Sequence, residues 1–98
     1  MTKKQLAKLR QCRVENMLSN NGNTVPNQFI IYTPTGSIFQ SYSSIIAIKT
    51  FGEKTILDEV YWDYSATTGK YRNDFLGDSI AETRQNIADG TYVLANLN

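Results

Sequence analysis

The sequence predicts an α+β fold: an antiparallel β-meander of four to five strands packed against an N-terminal helix and a short C-terminal helix. Two capping-box pairs, Thr2 with Gln5 and Ser79 with Glu82, mark the starts of two helices. Between them, β-branched and aromatic runs are separated by short turn segments, as in a meander. With 98 residues and 41% hydrophobic composition, the chain is long enough to bury its own core. We therefore expect a single domain over residues 1–98.

The first predicted element is a helix over residues 2–19. At about 100° per residue, four apolar side chains share one broad face. These are Leu6, Leu9, Val14 and Met17. Arg10 and Arg13 fall inside this apolar sector, so either their stems pack on the core or their guanidinium groups meet an anionic or aromatic partner. The residues at 20–23, Asn-Asn-Gly-Asn, predict a left-handed cap and a loop after the helix.

The middle of the chain predicts consecutive strands. The runs QFIIYT and SIFQSY form a hairpin over residues 28–42, joined by TPTG, in which proline fixes φ and glycine supplies conformational freedom. The run SIIAIK follows at once, and its continuous apolar character favours a central place in the sheet. Residues 51–53 then turn the chain into a short strand, KTIL.

The segment YWDYSATTGKYRNDF, residues 61–75, is rich in aromatic side chains. Residues 60–65 are predicted to form a strand with Trp62 as a core anchor, followed by a turn at SATTG. Tyr71 and Phe75 are four residues apart and share a face if residues 71–76 are helical. Two interpretations stay open: the rings fill the core while polar atoms hold a long connection, or part of the segment recognises a partner.

The C-terminal part predicts a short helix and a last strand. Ser79 and Glu82 open the helix, and Gly90 ends it. The run TYVLA then alternates like a strand.

Charge is distributed unevenly along the chain, although the net charge is +1. Five of the ten basic residues lie within the first thirteen positions, where there is no acidic residue. They are Lys3, Lys4, Lys8, Arg10 and Arg13. Between residues 50 and 90, eight acidic residues outnumber four basic ones. The basic N-terminal helix motivates one hypothesis, a nucleic-acid-binding accessory protein that contacts phosphates through these five side chains.

Several chemical classes are disfavoured by composition. The chain has no histidine and a single cysteine, Cys12, which excludes an internal disulfide and a thiolate-rich metal cluster. The TTGK segment lacks the remaining residues of a phosphate-binding loop, and the acidic residues Asp58, Glu59, Asp63 and Asp74 lack the spacing of a cation-binding loop. We expect a non-enzymatic protein without a cofactor or metal. No apolar run reaches membrane-spanning length and no signal peptide is evident, so a cytoplasmic location without membrane contact is expected.

The aromatic segment supplies the predicted partner-binding surface. Tyrosine, tryptophan and arginine are the residues most enriched at binding hot spots. The predicted surface consists of Tyr61, Asp63, Tyr64, Lys70, Tyr71 and Arg72. An unpaired edge of the meander would also offer a route to a homodimer.

Three separated segments carry a family resemblance, namely residues 16–49 (NMLSNN to AIK), 61–77 (YWDYSATTGKYRNDFLG) and 90–98 (GTYVLANLN). In this order they resemble a small uncharacterised domain family of bacteriophages and mobile elements. The resemblance implies a setting rather than a reaction, since no catalytic residues carry over. Small phage proteins of this kind often bind and block a host or defence protein, and some inhibit CRISPR effector nucleases. By this analogy, a host or defence protein is the expected partner.

Overall fold

The computed structural model describes residues 2–5 and 11–98. Residues 3–5 are helical, and the remaining described elements are six strands and two longer helices. In chain order these are β1 Arg13–Leu18, β2 Thr24–Thr33, β3 Gly36–Ser41, β4 Ser44–Thr50, β5 Ile56–Asp58, α1 Ala66–Leu76, α2 Ile80–Ala88 and β6 Val93–Ala95. The predicted α+β class is therefore correct, but the two longer helices both lie in the C-terminal half.

The strands form one sheet in the spatial order β1-β2-β3-β4-β5-β6. Neighbours from β1 to β5 are antiparallel, as expected for a meander joined by short turns. The sixth strand pairs in parallel with β5, because α1 and α2 intervene and return the chain in the same direction. The sheet thus has six strands, against the four or five predicted.

The core lies between the helices and one face of the sheet. The Phe39 ring on β3 meets the Phe75 ring on α1, with their centroids 5.8 Å apart. Beside them, the Ser41 and Thr68 hydroxyls are 3.0 Å apart and join β3 to the first turn of α1. The other buried apolar residues are Met17, Ile46, Ala47, Leu57 and Tyr71. Tyr71 and Phe75 share the inner face of α1, which confirms the prediction from their spacing.

The prediction of a helix over residues 2–19 is wrong for residues 11–19, which are not helical, and residues 6–10 lie outside the described residues. Residues 13–18 form β1, whose partner is β2 in the register Val14 with Ile31. The apolar residues of RVENML have helical rather than alternating spacing, but pairing along the ten-residue β2 outweighed this weak local preference. An irregularity in the register between Asn16 and Leu18 accompanies the burial of Met17 in the core. The predicted loop at 20–23 exists, with Gly22 at a φ of 79°, but it joins two strands. Thr2 and Gln5 do form the predicted capping box.

Residues 60–65 are not the predicted strand. The chain turns immediately after β5, because one carboxylate oxygen of Asp58 accepts hydrogen bonds from the N–H groups of Val60 and Tyr61, at 3.0 and 2.8 Å. The other oxygen accepts from the Leu97 N–H at 2.8 Å. An aspartate that accepts hydrogen bonds from the N–H groups of a turn in this way ends the strand. The side chains of residues 60–65 therefore do not alternate between two faces, as they would in a strand.

The predicted hairpin and the second capping box are confirmed. Residues 34 and 35 connect β2 to β3, and Ser79 and Glu82 exchange both capping-box hydrogen bonds at the start of α2. The role of Gly36 differs from the one expected. A Cβ at this position would lie 1.9 Å from the Lys49 carbonyl oxygen on β4, so close approach of two backbones, rather than turn flexibility, requires glycine.

Candidate binding site

The structure divides the six residues predicted to bind a partner into three groups. Tyr61 and Tyr64 border one surface hollow, and Asp63 and Lys70 border another. The remaining two residues, Tyr71 and Arg72, are buried. The single surface expected from the sequence therefore does not exist as such, since the turn and the helix point these side chains in different directions.

The first hollow, which we call the tyrosine hollow, has a volume of 480 Å³. It lies between the β3–β4 turn and the segment that leads into α1. Three tyrosines, Tyr42, Tyr61 and Tyr64, surround it, and the buried side chain of Ile46 lies at its base. The rest of the lining consists of hydroxyl residues, namely Ser41, Ser43, Ser44, Ser65 and Thr67. None of the described residues that line it is charged.

Tyr42 occupies an unusual backbone position in the two-residue turn between β3 and β4. Its φ is 55°, in the left-handed region that favours glycine, and its side chain is 58% exposed. The turn is held by hydrogen bonds from the Tyr42 N–H to the Asn27 carbonyl at 2.6 Å and from the Gln40 side chain to the Tyr42 carbonyl at 2.8 Å. Because Tyr42 is largely exposed, burial of its ring does not offset the backbone cost of this conformation.

Tyr61 and Tyr64 form the opposite wall of the tyrosine hollow. Their rings meet edge to face, with centroids 5.5 Å apart. Tyr61 is half-buried against the core and its N–H is anchored on Asp58, whereas Tyr64 is 66% exposed. The pair therefore presents one exposed ring supported by one fixed ring, which lowers the entropy cost of binding.

The Asp58 carboxylate that anchors this wall is ionised through most of the pH range. Burial by itself would raise the pKa of Asp58, but hydrogen bonds led by those from the Leu97 and Tyr61 N–H groups outweigh it and hold the pKa below its usual value.

The floor of the hollow is held by a hydroxyl network at the start of α1. Ser65 is the N-cap: its Oγ accepts from the Thr68 N–H and lies 3.1 Å from the Thr68 hydroxyl. The Thr68 hydroxyl in turn reaches Ser41. These bonds connect the two chain segments that build the hollow, so its shape is fixed by the same contacts that start the helix.

The second hollow, with a volume of 710 Å³, lies on another side of α1 and has a mixed-charge lining that includes Asp63, Lys70 and Asp74. Arg72 reaches its edge with a side chain that is almost wholly covered, since the residue is 1% exposed. The prediction of Arg72 as a surface contact is therefore wrong. Its guanidinium donates to the Trp62 carbonyl at 2.7 Å and lies 5.4 Å from the Trp62 ring.

Tyr71 is likewise a core residue, not a surface contact. It is 5% exposed and lies within the hydrophobic cluster, because helical spacing directs it inward together with Phe75. Lys70, its neighbour, is exposed, and its Nζ lies 5.4 Å from the centroid of the Tyr71 ring.

The five basic residues of the nucleic-acid hypothesis do not form a described helical surface. Lys3 and Lys4 are exposed in the helical turn at 3–5, while Lys8 and Arg10 lie outside the described residues. Arg13 lies on β1, where its Nε is 3.0 Å from a Glu15 carboxylate oxygen and its guanidinium lies 4.8 Å from the Tyr32 ring. Arg13 is thus engaged on a strand instead of projecting from a basic helix.

Within residues 2–5 and 11–98, no three His, Cys, Asp or Glu side chains come together as ligands for a metal ion. Asp58 is occupied by backbone donors, and Asp63 pairs with Arg72 and Arg84 at 3.3 and 3.4 Å. In the same part of the chain, no helix has both the length and the apolar character needed to cross a membrane.

Sequence reasoning missed Tyr42 and its serine neighbours. The segment SYSS was divided between two predicted strands, although a two-residue turn lies inside it. A signal was present, because three serines surround Tyr42 between two apolar runs, and serine is among the residues that favour turns. This turn lies opposite Tyr61 and Tyr64 because of long-range packing, which local sequence patterns do not predict.

Comparison with known proteins yields one match. Neither the curated proteins nor the solved structures give a match to this chain. A family model described as a family of unknown function, DUF8033, matches residues 12–90, which include all of β1 to α2 and every residue of the tyrosine hollow. The chain therefore belongs to the DUF8033 family.

Proposed function

We propose that this protein is a non-enzymatic binding protein that holds another protein through the tyrosine hollow. One observation carries the proposal: three tyrosines, two of them largely exposed, surround an uncharged hollow whose walls are fixed by hydrogen bonds. Rigid, exposed tyrosines supply large contact area at a small entropy cost, and they recur at binding hot spots.

The chemistry of the lining favours a neutral protein segment as the ligand. Hydroxyl groups can both donate and accept hydrogen bonds, which suits the backbone and uncharged side chains of a partner. A volume of 480 Å³ accommodates one or two inserted side chains. A phosphate or carboxylate ligand is disfavoured, because Lys70 and Arg72 do not line this hollow.

The partner class follows from the resemblance described above. We propose a host or defence protein, such as a CRISPR effector nuclease, which the protein blocks by occupying a surface. The net charge of +1 argues against mimicry of DNA, which requires a strongly acidic surface. Occlusion of the target, or locking it in one conformation, fits this charge better.

The proposal is tested by capturing partners from a bacterial host lysate with the tagged protein, with and without nuclease treatment. The variant Tyr42→Ser/Tyr64→Ser removes both exposed rings, and Phe51→Ser is the matched control because Phe51 is an exposed ring outside the hollow. We expect a nuclease-resistant protein partner that the control retains and the double variant loses, with affinity lowered at least about 30-fold per hot-spot tyrosine.

Two outcomes would count against the proposal. A partner that disappears on nuclease treatment would favour the nucleic-acid hypothesis, especially if binding falls steeply with salt. A protein partner bound equally by wild type and by the folded double variant would show that another surface does the binding.

A further inference from the structure

A row of β-branched residues crosses the sheet on the face opposite the helices. Each strand contributes one member, and each member is the direct cross-strand partner of the next. The row, which we call the isoleucine ladder, consists of Val14, Ile31, Ile38, Ile48, Ile56 and Val93. The helices cover the other face, because Phe39, the neighbour of Ile38, meets Phe75 of α1. The two faces alternate along a strand, so the ladder is on the side of the sheet away from α1.

The charge pattern of the first four strands is the reverse of what an exposed sheet face shows. The charged residues of these strands are Arg13, Glu15 and Lys49, and their registers place all three on the helix side. The open face instead combines the ladder with an uncharged neighbouring row, in which Phe29 stands between the polar residues Asn16 and Gln40. An antiparallel sheet with one solvated face normally carries polar and charged residues there. An open face without charges is characteristic of a face that another layer covers.

Exposure in the isolated chain is largest at the β1 end of this face. Val14 is 62% exposed and Leu18 is 58% exposed, while the four isoleucines are more covered than exposed. Side chains that project side by side from a sheet shield one another laterally, which lowers their exposure without a second layer above them. A contiguous apolar surface of this kind marks an interaction site.

The dimensions of the face match a small protein interface. Five inter-strand spacings of about 4.8 Å and strands of about six residues give a face of roughly 24 Å by 20 Å, or about 480 Å². Two such faces in contact bury about 1,000 Å² in total, which reaches the lower limit for a specific interface.

We propose that the isoleucine ladder is a homodimer interface in which the open sheet faces of two copies pack together as a β-sandwich. The face can complement a second copy of itself: on the first four strands it carries an apolar row flanked by uncharged residues, without charges whose like-sign repulsion would oppose self-association. Two twisted sheets pack at about 10 Å with their strands inclined by about 30°, which allows the two rows to interdigitate. The tyrosine hollow shares no residue with the ladder, so the dimer does not depend on the proposed function.

Sedimentation velocity of the full chain tests this inference, from about 1 µM to about 200 µM, a range that brackets the affinity expected of a small interface. We expect a concentration-dependent shift from one chain to two. Ile38→Glu places a charge near the centre of the interface and should weaken dimerisation at least about 100-fold. Ser37→Glu is the matched control, because it adds the same side chain one residue away, on the helix face and opposite Lys49.

Wild-type protein that remains a monomer throughout this range would overturn the inference. So would a dimer that persists in folded Ile38→Glu, since it would have to use another surface, such as the free edge of β1. Should Ile38→Glu fail to fold, Ile38→Thr/Ile48→Thr keeps both positions β-branched. That variant should dimerise at least about tenfold more weakly, and unchanged dimerisation by it would equally refute the ladder.

Discussion

Replacement of Arg72 by alanine should destabilise the fold strongly, although sequence pattern alone identified Arg72 as a surface contact. The guanidinium is enclosed between α1 and the preceding turn. One nitrogen, Nη1, donates to the Trp62 carbonyl at 2.7 Å and to Asp63 at 3.3 Å, and Nη2 donates to the Asn73 side chain at 3.0 Å. Arg72→Ala removes these bonds together with the packing of the stem and of the guanidinium against the Trp62 ring.

The magnitude follows from these contacts. The bond to the Trp62 carbonyl is short and charge-assisted, so its loss costs about 1.5–3 kcal/mol. The pair with Asp63 contributes little, because the Asp63 side chain is 42% exposed and water replaces the guanidinium there. Loss of the buried stem adds about 1–2 kcal/mol. We therefore expect the free energy of unfolding to fall by about 2.5–5 kcal/mol.

Urea unfolding followed by circular dichroism measures this loss. Lys70→Ala is the matched control, because Lys70 is exposed on the same helix and the change should alter the free energy of unfolding by no more than about 0.5 kcal/mol. If Arg72→Ala is as stable as the control and instead loses the binding partner, the surface role predicted from the sequence is right and our assignment of Arg72 as a structural residue is refuted.

Three further predictions concern the backbone and the turn after β5. Tyr42→Gly should be more stable than Tyr42→Ala by about 1 kcal/mol in urea unfolding, because alanine has a Cβ that is strained at a φ of 55° and glycine has none. Both variants should lose partner binding. Equal stabilities of the two variants would mean that the turn is unstrained. Gly36→Ala should cost at least about 2 kcal/mol, because its Cβ meets the Lys49 carbonyl oxygen, and an unchanged thermal midpoint would contradict the close approach. The lowered pKa of Asp58 means that its ionised form stabilises the fold above the unfolded-state value near 3.8 and that this contribution disappears as the pH falls through the folded-state pKa. Asp58→Asn should therefore be less stable than wild type at neutral pH and show a smaller further loss below about pH 4 in acid titration; parallel curves would exclude this role.

Features that depend on a few neighbouring residues were predictable from the sequence. The capping boxes at Thr2 and Ser79 formed as their spacing indicated. The turn at residues 34 and 35 and the shared face of Tyr71 and Phe75 also followed from local pattern. Each of these involves partners within four residues of one another, so its geometry is the same in any fold that contains the element.

Features that depend on distant partners were not predictable in the same way. Residues 13–18 have no strong local preference, and they became a strand because β2 offered an open edge to pair with. The turn at Asp58 is closed in part by Leu97, 39 residues away along the chain. The candidate site likewise combines Tyr42, in the turn between β3 and β4, with Tyr61 and Tyr64, which lie about 20 residues later between β5 and α1.

The sequence by itself therefore determined the α+β class, the β2–β3 hairpin, the two capping boxes and the aromatic segment that contains part of the candidate site. Only the tertiary structure decided which aromatic rings face outward, that Arg72 is enclosed, and that six β-branched residues align across the sheet. The physical reason is that capping and turn formation are satisfied within one or two turns of chain. Burial and strand register depend instead on which distant parts of the chain pack against each residue, so local sequence does not determine them.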